Sequence, residues 1–522
     1  MARESTGRHA FLVGSGILIS RIVGLARQRV FSHYFGQLDE ADAFYAAFRV
    51  PNFLQNLFGE GVLSASFIPV YARLLAQGDE EESGRVAGAV GAILALATSV
   101  MVLAGVLLTP YLIWIIAPGF QGPKRELTIQ LVRILFPGAG LLVFSAWSLG
   151  ILNSHRKFFL SYTAPVIWNV AMIATMVAFR RKDLTTLAVY LAWGSVVGSA
   201  LQFFVQLPTV LRLTRKLRLR LDTAAANVRE VLRNFAPVFV SRGVVQISAY
   251  VDQVIASKLG EGAVAALTNA QSIYTLPVSL FGMAVSAAEL PAMSSALGTE
   301  TEIAARLRQR LNAGLRQIAF FIVPSAMAFL ALGDVVVAGL YQSGRFTAEN
   351  AVYVWGIIAG SAVGLLASTL GRLYASTYYA LRDTRTPLRY ASLRVALTVG
   401  LGYLCALPLP RWLGIDPHWG AAGLTASAGA AGWVEFTLLR RTLNARIGAT
   451  GVAATLIVKL WGSAAVGAAV AWGIKLAIAG ADPVSRAIFV LVPYGLIYFA
   501  VTYVLKVEEC GALFGKLTRA LR

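Results

Sequence analysis

Four arginines lie within residues 20–69, a stretch otherwise apolar enough to cross a lipid bilayer. Guanidinium groups bind phosphate in a bidentate manner and stay charged when partly desolvated, so this pattern is typical of a site for a phosphate-bearing anion. Arg21 and Arg27 are the first candidates. On one helix they are about 9 Å apart along the axis and about 120° apart around it, so both can border one wide aqueous cavity. Arg29, nearer the end of the run, either joins them or extends to the membrane interface.

Carboxylates accompany these arginines. Asp42 follows the first apolar run, where it either holds an arginine in place or caps the start of the second helix. Glu60 lies inside the second apolar run, and a carboxylate at that depth needs a partner or a proton. We hypothesise that Glu60 pairs with Arg21 or Arg27.

The composition is that of a membrane protein. Of 522 residues, 57% are hydrophobic and 14% are charged, whereas about a quarter of the residues in soluble proteins are charged. Apolar runs of roughly 20 residues recur along the chain, each long enough to cross the hydrocarbon core as a helix. They are too long and too continuously apolar for the strands of a barrel. We therefore predict an all-α polytopic membrane protein.

Hydropathy predicts about fourteen transmembrane helices. Pro51, Pro277 and Pro324 fall inside these spans, where proline can kink a helix. The approximate spans are 11–35, 43–72, 86–117, 127–153, 161–179, 184–211, 234–258, 264–297, 317–332, 350–381, 395–407, 418–439, 452–479 and 487–505.

The positions of lysine and arginine predict the orientation. Most basic residues outside the spans lie at the two termini and in the even-numbered connections, which places both termini in the cytoplasm. The basic triplet at residues 180–182 falls on the opposite side and is an exception. The net charge of +20 therefore reflects topology, and nucleic acid is not predicted as a partner.

The chain contains an internal repeat. Short matches recur in the same order at a near-constant offset, as when Ser20-Arg21 returns as Ser241-Arg242. Six helices fit in the period, so the halves are expected to be parallel repeats with the substrate site at their interface. The predicted segments are residues 1–220 with helices 1–6, residues 221–447 with helices 7–12, and residues 448–522 with helices 13 and 14 and a cytoplasmic tail.

The second repeat offers further candidates. Arg242 and Arg372 are predicted to lie at membrane depth and to bind an anion. Asp252 either binds a coupling cation or forms a salt bridge near the helix end with Lys258 or another neighbour. Sodium and a proton are both open as the coupling ion.

Several kinds of chemistry are not indicated. Cys405 and Cys510 are far apart and form no CxxC pattern, and the histidines are scattered, so neither a disulfide nor a metal site is predicted. The sequence has no glycine-rich loop of the kind that binds ATP phosphates. We predict a transporter without a cofactor, and not an enzyme.

Three stretches carry a resemblance to a known family: SRIVGLARQRVFSHYFG, DEADAFYAAFRVPNFLQNLFGEGVLSASFIPVYARL and YYALRDTRTPLR. They resemble the MurJ (MviN) family of lipid II flippases, in the multidrug/oligosaccharidyl-lipid/polysaccharide exporter superfamily. The resemblance implies two six-helix lobes around a cationic cavity, with a groove for a polyprenyl tail formed by the last two helices. It also implies outward movement of the undecaprenyl-diphosphate-linked disaccharide-pentapeptide for peptidoglycan synthesis.

The resemblance assigns roles residue by residue. The family's substrate-binding positions fall on Arg21, Arg27, Asp42, Asn52 and Glu60.

The chain also departs from the family pattern. Gln55-Asn56 and Gln271-Ser272 stand where the family commonly has arginines. Arg49, Arg242 and Arg372 are predicted to supply replacement charge.

We predict a monomer in the bacterial inner membrane whose partners are lipid II, membrane lipids and the cell-wall synthesis machinery. Two alternatives stay open. One is export of another lipid-linked oligosaccharide, which the altered cations would suit, and the other is a scaffold or regulator that has lost transport. A drug-like cation is disfavoured because an arginine-lined cavity repels it.

Overall fold

The computed structural model describes the backbone of residues 2–294 and 299–512. Within these ranges it describes all side chains except those of residues 2–15, 17, 60, 236–238, 240–249, 287 and 291–292. Every regular element in the described ranges is helical, apart from one isolated bridge between Ser343 and Phe346. The predicted all-α class is confirmed.

Nineteen α-helices, a π-helical turn at Val278–Met283 and a 3₁₀ turn at Pro417–Trp419 make up the described chain. The helices are α1 Ala2–Phe35, α2 Asp39–Phe58, α3 Glu60–Ala76, α4 Glu80–Leu107, α5 Thr109–Ile116, α6 Gly122–Ser154, α7 Phe158–Ala178, α8 Leu184–Leu213, α9 Ala226–Ala256, α10 Ala263–Pro277, α11 Ala284–Ser294, α12 Glu300–Ala331, α13 Gly333–Tyr341, α14 Ala348–Ala380, α15 Arg385–Ala406, α16 Pro408–Trp412, α17 Gly420–Ile447, α18 Ala454–Ala477 and α19 Pro483–Val504.

Each predicted span falls on one helix or on consecutive helices. The span at 43–72 is divided between α2 and α3, and the span at 264–297 comprises α10, the π-helical turn and α11, with residues 295–297 outside the described part. By length and composition, ten helical segments of the described chain can cross a membrane. The number of fourteen spans stays a prediction.

Some helices extend well beyond the apolar spans. The basic stretch 306–316, predicted as a connection, is helical because α12 begins at Glu300. A capping box supports this start, with Thr299 and Glu302 each bonding the other's backbone N–H. Hydropathy detects the apolar part of a helix and misses its charged turns, which explains the difference.

Two of the three prolines lie inside continuous helices. α2 runs through Pro51 and ends before Gly59, where a Cβ would collide with the carbonyl of Gln55. α12 runs through Pro324. At Pro277, in contrast, α10 gives way to the π-helical turn, an element that is rare and that interrupts regular helix packing.

The chain divides into two compact units, Met1–Ala265 and Ala266–Arg522. In the first unit α6 is central and contacts α2, α3, α4 and α8. Its core includes Leu54, Phe67 and Trp147. α1 packs along α7, and α9 packs along α3 and contacts α2. These contacts bring the arginines of α1 and α2 next to α7 and α9.

In the second unit α14 packs along α17 through facing glycines. α18 and α19 form a pair that packs against α12 and α13. Tyr494 and Tyr498 of α19 fix this packing, since their hydroxyls donate hydrogen bonds of 2.6 Å to carbonyls of Pro324 and Phe320 in α12. The C-terminal pair is therefore part of the second unit.

Candidate functional site

Arg27 of α1 lies against an aromatic ring of α7. Its guanidinium carbon is 4.8 Å from the ring centroid of Trp168, and its Nη1 is 3.6 Å from the Sδ of Met172. The indole N–H of Trp168 donates to the Oγ of Ser195 in α8 at 3.2 Å, which fixes the ring. The quadrupole of an indole face attracts a cation and stabilises it where little water is present. α7 and α8 therefore position the charge of Arg27.

Phe48 of α2 packs on the same indole. The ring centroids of Phe48 and Trp168 are 5.6 Å apart. Tyr45, one turn earlier, accepts a hydrogen bond of 2.6 Å from the Nε2 of Gln28 in α1. Aromatic residues of α2 and α7 thus surround the Arg27 side of α1.

Arg49 of α2 faces α9. Its guanidinium carbon is 6.0 Å from the ring centroid of Tyr250, whose hydroxyl donates to the carbonyl of Arg49 at 2.9 Å. Phe53 packs on the same ring, with centroids 5.6 Å apart. Asp252 lies within electrostatic range of Arg49. The charges of Arg49 and Asp252, which the sequence singled out separately, therefore interact across α2 and α9.

The other predicted residues are more dispersed. Arg21 of α1 and Arg372 of α14 are exposed, and Asn52 of α2 is half-buried. Glu60 and Arg242 lie in α3 and α9, but their side chains are outside the described part, as is the hypothesised pairing of Glu60. The substrate-binding role of the predicted residues stays a prediction.

Asp42 is fully buried and bonds the start of another helix. Its Oδ1 accepts the backbone N–H of Ala265 at 2.7 Å, and its Oδ2 accepts that of Gly262 at 2.8 Å. The Nζ of Lys124 lies 2.7 Å from the same Oδ2 and 2.7 Å from a carboxylate oxygen of Asp39. Because α10 begins at Ala263, Asp42 caps α10 from a distance in sequence. We call Asp42, Lys124, Gly262 and Ala265 the α10 clamp.

Two roles predicted for Asp42, capping α2 and holding an arginine, are wrong, whereas its substrate-binding role stays a prediction. α2 begins at Asp39 with Leu38 at its N-cap position, so Asp42 lies inside the first turn and does not cap that helix. Its ionic partner is a lysine and not an arginine. Gly262 has a φ of +76°, and a Cβ there would collide with the carbonyl of Gln37, so the clamp requires glycine at this position.

Sequence reasoning missed three residues of these sites: Lys124, Trp168 and Tyr250. Trp168 and Tyr250 lie in or beside apolar runs where aromatic residues are ordinary packing groups, so no local signal marks them. Lys124 lies in the first turn of α6, where the helix dipole disfavours a cation. That unfavourable position was the available signal that Lys124 had an acidic partner.

An apolar cavity of about 340 Å³ lies in the second unit. Residues of α10, the π-helical turn, α12, α13 and α19 line it, and Leu276, Phe281, Ala328, Leu340 and Leu491 are among them. Two hydroxyls in this lining, those of Ser325 and Tyr494, both donate hydrogen bonds to carbonyls of α12. The cavity has the chemistry of a site for a hydrocarbon chain.

Asp383 lies in the third resembling stretch and has a structural role. Its Oδ1 accepts the backbone N–H of Thr386 at 3.0 Å, its Oδ2 accepts the hydroxyl of Thr386 at 2.7 Å, and Arg446 lies 2.7 Å away. The hydrogen bonds from Thr386, together with the ion pair, lower the pKa of Asp383 to about 2. Asp383 thus connects the start of α15 to the end of α17.

Comparisons with known proteins identify the relatives of the chain. The family profile described as "Lipid II flippase MurJ" matches residues 31–491. The probable lipid II flippase MurJ of Rhizobium tropici is 34% identical over 444 residues, which cover 83% of this chain and 80% of that protein. The lipid II flippase MurJ of Burkholderia cenocepacia is 32% identical over 445 residues and covers 84% of each chain.

Solved structures share the fold. The structure titled "Lipid II flippase MurJ, inward closed conformation" matches with a TM-score of 0.77 at 23% identity, covering 95% of this chain and 98% of that chain. An inward-facing multidrug resistance MATE family transporter of the MOP superfamily matches with a TM-score of 0.61 at 19% identity, covering 84% and 98%. The described fold is therefore that of these transporters.

Proposed function

Because the chain belongs to the lipid II flippase MurJ family, we propose that it moves lipid II from the inner to the outer leaflet of the bacterial inner membrane by alternating access. The observation that carries this proposal is the pair of positioned arginines, Arg27 over Trp168 and Arg49 beside Tyr250, in a chain whose relatives carry that function in their names. We propose that it acts as a monomer with both termini in the cytoplasm.

The arginines bind the diphosphate. A guanidinium group beside an aromatic ring keeps its positive charge, and charged guanidinium groups suit bidentate binding of phosphate oxygens. Gln271 and Ser272, which stand where the family commonly has an arginine, have neutral side chains and supply no positive charge. Gln271 is exposed, and the hydroxyl of Ser272 donates to the carbonyl of Thr268 at 2.9 Å. Arg27 and Arg49 therefore carry a larger share of the binding than in a relative with the full set.

The apolar cavity of the second unit binds part of the polyprenyl tail. Its lining offers no hydrogen-bond donor to a head group, whereas an isoprenoid chain buries apolar surface at about 25 cal/mol per Å². The tail thus stays in a hydrocarbon environment while the diphosphate is bound by arginine.

The α10 clamp opens during the transport cycle. Alternating access needs an element with two arrangements, and the start of α10 is held by a side chain of another helix instead of by its own sequence. Release of Asp42 from Gly262 and Ala265 would free α10 without breaking its internal hydrogen bonds.

An inside-negative potential favours outward movement of the anionic head group by about 2.3 kcal/mol per charge for each 100 mV.

Translocation of fluorescent lipid II in reconstituted vesicles tests the proposal. Wild type is expected to move lipid II, and Arg27→Ala to slow it about 10-fold or more, because a charged hydrogen bond contributes about 1.5–3 kcal/mol. Arg180→Ala is the matched control, since Arg180 is an exposed arginine outside the helices. Absence of lipid II movement by wild type would contradict the proposal. Movement of a different lipid-linked oligosaccharide in the same vesicles would then support the alternative exporter.

A further inference from the structure

A connecting strap, residues 214–225, joins α8 to α9 within the first unit. Residues 217–223 of the strap are not helical and run along the first turns of α4. A Cβ at Gly88 of α4 would collide with the carbonyl of Arg218, so this glycine lets the strap lie directly on the helix. Arg85 holds the far end, with its Nε 2.9 Å from the Oδ2 of Asp222. The strap is therefore fixed to α4.

Four basic side chains project from the strap: Arg215, Lys216, Arg218 and Arg220. All four are exposed, and none forms an ion pair within the part of the chain that the structure describes. The one acidic residue of the strap, Asp222, is already paired with Arg85. Like charges so close in sequence repel one another, so an external anion would stabilise the strap.

Leucines alternate with these basic residues. Leu219 is 70% exposed and Leu221 is 59% exposed, which is unusual for aliphatic side chains in a fixed segment. In an extended segment successive side chains point to opposite sides, so Leu219 and Leu221 point away from Arg218 and Arg220. The strap thus presents an apolar side and a cationic side.

The strap lies beside two helices that are long and apolar enough to cross a membrane. α8 ends at Leu213, immediately before the strap, and α4 is the helix along which the strap runs. A Cβ at Gly91 of α4 would lie 3.4 Å from the Cδ2 of Leu219. Leu219 therefore lies against the apolar part of α4, about three turns beyond the charged first turn of Glu80, Glu81 and Glu82.

We propose that the strap is a binding site for anionic phospholipids of the inner leaflet. Leu219 and Leu221 enter the acyl boundary, and the four basic side chains bind headgroup phosphates at the level of the interface. The exposed leucines favour a bilayer over a soluble acidic partner, because only the bilayer offers hydrocarbon and phosphate at adjacent depths. The site does not depend on which lipid-linked substrate the protein carries.

A lipid titration of the purified full chain tests this site. The probe is fluorescent phosphatidylglycerol in neutral detergent micelles, with fluorescent phosphatidylcholine as the zwitterionic comparison. The double variant Arg218→Gln/Arg220→Gln is expected to bind phosphatidylglycerol about 30-fold more weakly, from about 1 kcal/mol for each basic residue. Arg180→Gln/Arg181→Gln removes the same charge from an exposed connection and is expected to bind as wild type does. Equal affinity of wild type and the strap variant would overturn the proposal.

Spin labelling tests the apolar half of the site independently. A label at Leu221→Cys, in a chain with Cys405 and Cys510 replaced by serine, is expected to become more accessible to oxygen than to a water-soluble nickel complex in vesicles containing phosphatidylglycerol. Adding Arg218→Gln/Arg220→Gln should return the label toward water. A label that stays equally accessible to the nickel complex with and without phosphatidylglycerol would overturn the proposal. This comparison uses one labelled chain in two lipid mixtures, so it does not depend on differences in stability between variants.

Discussion

The guanidinium carbon of Arg27 lies 4.8 Å from the ring centroid of Trp168, so a cation of α1 is held by an aromatic face of α7. The ring itself is fixed by its hydrogen bond to Ser195 in α8. Three helices, α1, α7 and α8, therefore set the position of one charge.

Replacing Trp168 by leucine should weaken binding of the lipid II diphosphate. The cation–π interaction contributes about 0.5–2 kcal/mol, so we expect the dissociation constant to rise about 2- to 30-fold, while Trp168→Phe keeps much of the affinity. The measurement is binding of labelled lipid II to purified variants. Trp193→Leu, at a tryptophan that is 53% exposed, is the control. Equal losses in the phenylalanine and leucine variants would show that the ring face is not what holds Arg27.

Replacing Asp42 by asparagine should destabilise the protein strongly. The change removes the buried counter-charge of Lys124 and weakens the cap of α10, and loss of one partner of a buried pair costs about 3–5 kcal/mol. Thermal unfolding in detergent measures the effect. Asp39 is the other carboxylate that bonds Lys124, and its side chain is 52% exposed. Asp39→Asn should therefore lower the free energy of unfolding by at most about 1 kcal/mol. Similar unfolding curves for the two variants would argue against the α10 clamp.

Filling the apolar cavity should impair handling of the tail and spare the head group. Ala328→Trp places a large ring in a space of about 340 Å³, so we expect slower translocation of long-chain lipid II. Binding of a short-chain analogue should be nearly unchanged. Leu330→Trp, two residues along α12 at a side chain that is 39% exposed, is the matched control. An equal defect with short and long tails would place the tail elsewhere.

Stability should fall at low pH because of Asp383. The unfolded carboxyl titrates near 3.8, whereas the hydrogen bonds of Thr386 and the pairing with Arg446 lower the pKa to about 2 in the fold. The stabilisation is therefore complete above about pH 4 and is lost as the pH falls toward 2. Unfolding temperatures of wild type should decline across this window, and those of Asp383→Asn should decline less. Parallel declines would assign the acid sensitivity to other groups.

The sequence predicted the helical class and the places of the helices, because apolar runs of membrane length have few alternatives to an α-helix. It also drew attention to Arg27, Arg49, Asp42 and Asp252, since charges are rare in such runs. It did not predict that Trp168 and Tyr250 would position the arginines. An aromatic residue in an apolar run has the same appearance in sequence whether it packs against lipid, against leucine or against a cation.

The role of Asp42 as a cap of α10 could not be predicted from its neighbours in sequence. An acidic residue near the start of α2 has the features of a cap for that helix, and the rule for caps considers only neighbours in sequence. The N–H groups that Asp42 actually accepts, those of Gly262 and Ala265, are 220 and 223 residues away. Likewise, hydropathy ended several helices too early, because charged turns beyond the bilayer carry no apolar signal.

The distant cap of α10 also has a consequence for biosynthesis. A ribosome delivers α2 and α6 to the membrane long before α10, so the order of synthesis allows Asp42 and Lys124 to pair before Gly262 and Ala265 emerge. The nascent helix then starts on a prepared acceptor and does not pass through the bilayer interface with bare N–H groups. A circular permutant that begins near residue 226 would reverse this order, and its α10 would have to wait for its acceptor.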